Sequence, residues 1–476
     1  MSPTNSKKHV KKVSTIKDWK APFMNRFSAL ASQNADLLST KGGDANALTQ
    51  FSRYHHLPSP MAGVVAHPKE VSQIQEIVRW AGPRHINVMA RGLGSGVMQG
   101  IFADHDTLIL DLSNLDAIID MDKISGHVTV ESGINGWALE QVLNNQGFTI
   151  GHFPQSIALS SVGGWVATKS IGQYSTRYGG IEHMVRQIQV VTGHGDLYTV
   201  GHLSPRRSAG PELLPLFIGS EGTLGIISKV TLKIWPVPTA EEGLAWSFPT
   251  FATGLDVMQK WIQAGLLPSA IRLYDEAESA RTFAQVGGAV IIALFQGAPE
   301  MVRAAQDVAR HLAIPSGDIL DNSIVDRWLA TRNDVSAWAP LLQQGFLVDT
   351  IEVSGTWSRL KTIYQLVIQD AGLVPGLLAI TGHSSHAYSD GANLYFTFIA
   401  QPAMPKDAPS LYREIWQAVM TATRNAGGSI SHHHGIGRIR QPWLIQERES
   451  ELPLLEQVRH VFDPYDIFNR GALWPQ

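Results

Sequence analysis

Three adjacent histidines, His432 to His434, open the run SHHHGIGRIR (Ser431 to Arg440), which continues into Gly-x-Gly and two arginines. Imidazoles at that density can bind a metal, move protons near neutral pH or hold an anion, and arginine matches a phosphate with parallel N–H donors. Neighbouring residues of an extended strand point to opposite sides, so an extended triplet cannot converge on one ion unaided. Arg438 and Arg440 can cap the loop or touch a ligand.

A second kind of chemistry is written in glycine. MARGLGSGVMQG, Met89 to Gly100, sets four glycines into nine residues directly after the β-rich run INVMA. Glycine lets successive backbone N–H groups converge into an anion-binding nest. A dinucleotide-binding Rossmann loop would open a helix here, whereas this one runs into IFADHDTLILDLS, a turn and another strand; no GK[ST] phosphate motif is present. Pro154 to Gly180 (PQSIALSSVGGWVATKSIGQYSTRYGG) and Phe217 to Pro236 (FIGSEGTLGIISKVTLKIWP) are also small-residue loops beside strands. Three such loops, with Ser160, Ser161, Thr168, Ser220 and Thr223 among the glycines, point to a long phosphate-bearing ligand threaded between them.

These groups need elements to position them. The chain has 476 residues, 44% hydrophobic and 17% charged, enough for two domains. A net charge of -3 gives no support to a nucleic-acid partner. The absence of cysteine excludes disulfides, thiolate nucleophiles, cysteine-ligated zinc and any cysteinyl–cofactor bond. No signal-peptide pattern opens the chain, which reads as cytoplasmic, and SKKHVKK (Ser6 to Lys12) reads as a solvated tail. Residues 1–56 read as a polar leader with helical patches. Residues 57–238 alternate short β-branched runs (INVMA, TLILDLS, HVTVESG, IQVVTG) with glycine turns around one helix, VSQIQEIVRWA, giving an α+β domain. PVPTAEEG marks a boundary. Residues 239–445 alternate amphipathic helices with strands such as VIIALF and LYFTFIA, and residues 446–476 form a helix stopped at Asp463-Pro464 and an apolar tail that returns to the ligand site.

The three loops resemble the FAD-binding domain of the vanillyl-alcohol-oxidase (PCMH-type) superfamily, with GSEGTLGII the most specific element and the likeness running from about Pro58 to Trp474. The resemblance implies an α+β fold, an FAD-binding domain followed by a substrate cap with an antiparallel sheet covered by helices. It implies FAD with its pyrophosphate on Arg91, Gly92, Leu93, Gly94, Ser95, Gly96 and Val97. Further contacts would come from Gln155, Ser156, Ser160 and Ser161, from Gly164, Thr168 and Ser170, and from Glu221, Gly222, Thr223, Gly225 and Ile227. Gly94-Ser95-Gly96 stands where members with a histidyl–flavin bond carry the histidine, so the FAD is expected to be non-covalent.

Two branches of the superfamily are relevant. Metal-dependent D-2-hydroxyacid dehydrogenases carry a His-x-x-Gly-Asp-x-Asn-Leu-His strand and a Glu-His-Gly-Ile-Gly turn. Here the strand reads HAYSDGANLYFTF, with Tyr395 in place of the second metal histidine and His433 in place of the glutamate. A metal on His386, Tyr395 and His433 would lack a carboxylate and use a phenol, which is poor coordination chemistry, so no metal is expected. The chain is more similar to alkyldihydroxyacetonephosphate synthase in SHHHGIGRIRQPWL, RRSAGPELLPLFIGSEGTLG, SSVGGWVATKSIG, GANLYFTF and IRLYD. That likeness implies Tyr395 as acid/base, Arg332 as phosphate ligand, His432, His433 and His434 in the active site, and Arg272 near flavin and substrate. The implied reaction exchanges an acyl ester for a fatty alcohol without net oxidation; the alternative is FAD-linked oxidation of a D-2-hydroxy acid or other small alcohol. A tyrosine base near neutral pH calls for a neighbouring cation, which Arg332 or a protonated histidine would supply. Read alone, Tyr395 is a core tyrosine and Arg332 a surface cation. The segment between IRLYD and GGAVIIALF is short beside eukaryotic synthases, so a long-chain substrate is not implied. The expected partner is a small-molecule or lipid-like substrate with a phosphate or carboxylate; a peripheral membrane contact and a homodimer stay open.

Overall fold

The strand Ala289–Gly297 is apolar along nearly its whole length because both of its faces are covered. Ile291, Ala293 and Phe295 join a core with Trp246, Met258, Trp261 and Ile363, whereas Val290, Ile292 and Leu294 join one with Val128, Val130, Ile188 and Val190. The same alternation, with one face solvated, makes His127–Glu131 a strand that buries only Val128 and Val130. The computed structural model describes residues 18–283, 286–334 and 336–474, and the basic run Ser6 to Lys12 lies outside them.

The molecule has the two-domain FAD-binding PCMH fold. In the first domain a small sheet orders its strands 31–32, 64–66, 107–111 and 87–91, the last three running parallel. A five-stranded antiparallel sheet follows, in the order 118–122, 127–131, 226–233, 185–191, 197–201. The second domain is a seven-stranded antiparallel sheet ordered 318–320, 240–248, 289–297, 270–274, 377–384, 391–400, 347–356. Amphipathic helices Phe251–Gln263, Pro299–Ala313, Trp357–Ala371 and Ala408–Asn425 send their apolar stripes into the core on one of its faces. The opposite face lies on the first domain.

The stretch before residue 57 is woven into both parts. Ala31 pairs with Ala66 in the small sheet, and Phe51 of helix Ala47–Tyr54 is fully buried in the core of the second domain. Among the described residues no helix is long and apolar enough to cross a membrane.

Candidate active site

Sheet register builds the centre of the site. Tyr395 lies directly across from Glu352 on one neighbouring strand and from His383 on the other. Cross-strand partners share a face, so the three side chains project together. The histidine loop follows helix Ala408–Asn425 and is tied to the sheet by the Ser354–Ser429 bridge. Glu352, with 0% of its side chain exposed, then accepts the backbone N–H groups of His432 (2.5 Å), His433 (3.2 Å) and His434 (2.7 Å) and an N–H of Arg440 (2.7 Å). Three successive N–H groups aimed at one carboxylate require a curled main chain, so the triplet is a nest and not an extended strand. The side chains of His432, His433 and His434 therefore converge, which strand geometry forbids.

Convergence brings them onto Tyr395. Its hydroxyl lies 2.5 Å from Nε2 of His433 and 3.4 Å from Nε2 of His434. His433 and His432 face each other through Nδ1 at 2.7 Å, and His432 Nε2 meets the Tyr388 hydroxyl at 2.9 Å. Burial, opposed by the charge of Glu352, pushes His432 and His433 down to about 3 and His434 to about 4, so all three are neutral. Burial would raise Glu352, yet the charge of Arg440 holds it well below the carboxylate range. Tyr395 is pushed far above the ordinary tyrosine value by burial and then by Glu352, with Arg272 and Arg440 pulling the other way. The cations acting on Tyr395 are thus Arg272 and Arg440 in place of Arg332 or a protonated histidine. Arg440 is fully buried, caps the loop through Glu352 and the Gly435 carbonyl (2.8 Å), and lies over Trp416. Arg438 bonds the carbonyls of Gln99, Gly100 and Arg470, joining the loop to the first glycine loop and the tail.

Arg272 and Arg332 pack on the same indole, Trp328, at 5.9 and 5.7 Å from its ring centre. Arg332 donates to Gln173 at 2.7 Å and also lies over Phe153 and Tyr174. Arg272 meets His383 Nε2 at 3.1 Å. Arginine only donates, so that nitrogen accepts, and His383 carries its hydrogen on Nδ1, 3.1 Å from Glu278. The His383 ring stacks on Tyr395 at 4.7 Å.

The three small-residue loops meet as a cofactor cradle would require. Among the described residues, none of the N–H groups of Gly92 to Val97 donates to a protein acceptor, which leaves a run of donors suited to a pyrophosphate. A Cβ on Gly92 would stand 2.0 Å from Ser161 Oγ, and one on Gly94, at φ +79°, 2.0 Å from Arg91 Nη2. Ser161 caps helix Val162–Thr168 by accepting from the Gly164 N–H. Buried Arg91 Nε and His152 Nδ1 have no protein partner. These features fit FAD. Several other side chains hold the loops themselves: Ser160 accepts from Trp165, Thr168 donates to Gly164, Thr223 to Ser220, Ser170 meets His152, and Gln155 reaches the Asp334 carbonyl. Glu221 accepts the N–H groups of Ile436 (2.6 Å) and Gly437 (2.8 Å), so the third loop grips the histidine loop. Gly92→Ala is expected to weaken FAD binding by about tenfold or more, roughly 1.4 kcal/mol, because the first two loops must separate. Fluorescence titration of the FAD-stripped protein reads this directly, and unchanged affinity would remove the Gly92–Ser161 contact from the cradle.

Glu352, His383, Glu278, Trp328, Tyr388 and His152 join the site although sequence alone does not single them out as site residues. Glu352 has a signal, a charge between Ile351 and Val353 in a strand whose inner half is buried. His152, fully buried, is pushed down to about 3 by burial, and His386 likewise falls well below the histidine range. These five imidazoles, two buried (His152, His386) and three half-buried (His432, His433, His434), make stability fall as pH drops from about 7 to 5. Each binds its proton more weakly folded than at its ordinary value of about 6.5, so the unfolded chain takes up protons that the folded one refuses. Of the carboxyls that burial raises, Asp44, at about 7, and Asp349, at about 6, are carried well into that window and oppose the trend, two groups against five. Urea unfolding of the FAD-loaded protein at pH 7 and 5 checks the sign; equal or greater stability at pH 5 contradicts it.

Comparison with known proteins gives the frame for this geometry. The family model for the FAD binding domain matches residues 62–201, and that for the C-terminal domain of FAD linked oxidases matches residues 237–473. An uncharacterised FAD-linked oxidoreductase of Escherichia coli K12, YgcU, is 31% identical over 90% of this chain and 93% of its own length. Alkyldihydroxyacetonephosphate synthase of Dictyostelium discoideum is 27% identical over 87% of this chain and 73% of its own length. D-2-hydroxyglutarate dehydrogenase of Xanthomonas citri is 27% identical, covering 88% and 90%. A solved structure of alkyldihydroxyacetonephosphate synthase superposes with a TM-score of 0.77 at 22% identity, covering 94% of this chain and 84% of that one. A glycine cradle that fits FAD lies within the part of the chain matched by the FAD binding domain, and the chain belongs to the FAD-linked oxidoreductases, enzymes with FAD as cofactor.

Proposed function

We propose that the enzyme acts on a small oxygenated substrate bearing a phosphate or carboxylate, with Tyr395 as the acid/base, in the manner of alkyldihydroxyacetonephosphate synthase. The observation that carries the reading is the Tyr395 hydroxyl, 2.5 Å from the neutral His433 imidazole. FAD, held non-covalently by the cradle of Gly92 to Val97, would supply an electron-accepting centre. Arg332 and Arg272, fixed on Trp328, hold the anionic group of the substrate. Tyr395 takes the proton from the carbon beside a ketone as its own hydrogen moves to His433. His434, 3.4 Å from the same hydroxyl, assists the proton's return to a leaving carboxylate.

A second reading, oxidation of a D-2-hydroxy acid or other small alcohol, draws support from the 31% identity to an FAD-linked oxidoreductase over nearly the whole of both chains. Anaerobic mixing separates the two. A short-chain acyl-dihydroxyacetone phosphate with a short primary alcohol, run beside the palmitoyl and hexadecanol pair, is expected to yield an ether product without lasting loss of flavin absorbance. Bleaching by D-lactate or D-2-hydroxyglutarate, with no ether product, would overturn the synthase-like reading in favour of the oxidation.

A further inference from the structure

We propose that His433, His432 and Tyr388 form a proton relay that carries the hydrogen displaced from Tyr395 to the edge of the cap sheet. The inference rests on the reading of Tyr395 as acid/base and adds the route its proton takes. The links run without a break: Tyr395 Oη to His433 Nε2 at 2.5 Å, His433 Nδ1 to His432 Nδ1 at 2.7 Å, and His432 Nε2 to Tyr388 Oη at 2.9 Å.

Two ring nitrogens at 2.7 Å share one hydrogen, so His432 and His433 hold opposite tautomers. When Tyr395 donates to His433 Nε2, His433 carries its hydrogen on Nδ1 and donates to His432. His432 then carries its hydrogen on Nε2 and donates to Tyr388. Every link points the same way. The other contact of Tyr395 leads nowhere, since His434 Nδ1 is buried without a hydrogen-bond partner. Tyr388 is half-buried and followed by exposed Ser389 and Asp390, with its backbone pinned by Gly391 and Trp357; the buried Ser175 hydroxyl nearby is engaged with His386 Nδ1 at 2.8 Å.

The step balances. As a substrate proton bonds to Tyr395 Oη, the Tyr395 O–H breaks and an Nε2–H forms on His433. The His433 Nδ1–H breaks and an Nδ1–H forms on His432; the His432 Nε2–H breaks and Tyr388 gains a hydrogen while releasing its own to solvent beside exposed Ser389 and Asp390. One proton leaves, and neither a phenolate nor an imidazolium remains. This resolves how a tyrosine pushed far above its ordinary value serves as a base: it passes a proton on instead of ionising. The reverse shift, fed from Tyr388, returns a proton to the substrate and restores the first set of tautomers. His432 and Tyr388 act through Tyr395 and are positioning residues.

The test uses FAD-loaded protein labelled with nitrogen-15 in histidine and reads the rings by NMR. Opposite neutral tautomers on His432 and His433 are expected, with one hydrogen between their Nδ1 atoms. Tyr388→Phe is expected to slow solvent exchange of that hydrogen by about tenfold or more and to leave FAD absorbance unchanged, whereas Tyr395→Phe leaves the exchange rate as it was. If Tyr388→Phe does not take up FAD, the ring tautomers of the unsubstituted protein decide the relay by themselves. Identical tautomers, or exchange that responds to Tyr395→Phe and not to Tyr388→Phe, overturns the relay. These ring signals need no substrate. Failure of every substrate in the anaerobic mixing would therefore count against the proposed reaction alone, and the ring signals would still decide the relay.

Discussion

Tyr395→Phe is expected to lower turnover by about 10²- to 10⁴-fold, the range lost when a positioned proton-transfer group is removed, while FAD stays bound. The substitution deletes one oxygen. The phenyl ring keeps its stack on His383 and its place in the strand Gly391–Ala400, opposite Glu352. No neighbour replaces the hydroxyl, because the imidazoles of His433 and His434 reach the same point from the far side. FAD is untouched because its cradle lies in the first domain. The measurement is kcat with the substrate identified by anaerobic mixing, beside the flavin spectrum of the variant. A near-normal kcat takes Tyr395 out of the chemistry.

Glu352→Ala is expected to cost about 3–5 kcal/mol of stability, the typical loss when one partner of a buried ion pair is removed. Arg440 is left charged at 0% side-chain exposure, and the N–H groups of His432, His433 and His434 lose their common acceptor. Glu352→Gln, which keeps one acceptor oxygen but turns an amide N–H towards those donors, falls between wild type and alanine. Urea unfolding of the three proteins at pH 7 orders them; a loss under about 1 kcal/mol for alanine, the worth of a surface pair, would show that the loop holds its shape by other means.

The periodic parts of the fold are legible in the sequence. VSQIQEIVRWA is the helix Val71–Ala81, with Ile74, Ile77, Val78 and Ala81 buried at helical spacing, and VIIALF and LYFTFIA fall inside strands Ala289–Gly297 and Gly391–Ala400. Local pattern carries such elements because each residue's environment is set within a few positions. The site is legible only in part. The carboxylate beside His433 is not a neighbour along the chain, since Glu352 arrives from 81 residues away through strand register. His383 likewise reaches Tyr395 by pairing and not by proximity in sequence. Burial depth is also hidden in the sequence, and it decides that the three imidazoles are neutral and that Tyr395 needs somewhere to send its proton.

Glu352 and Glu221 hold residues 432–437 from opposite domains, and the hydrogen bonds they accept from that stretch all come from main-chain N–H groups. A carboxylate that grasps peptide nitrogens is indifferent to which side chains those peptides carry. The shape of residues 432–437 is therefore stored outside residues 432–437. An engineer can rewrite the reactive groups there, exchanging imidazoles for acids or amides, and expect the same curve of chain to present them to the flavin. Chemistry and scaffold have become separately editable at this one loop.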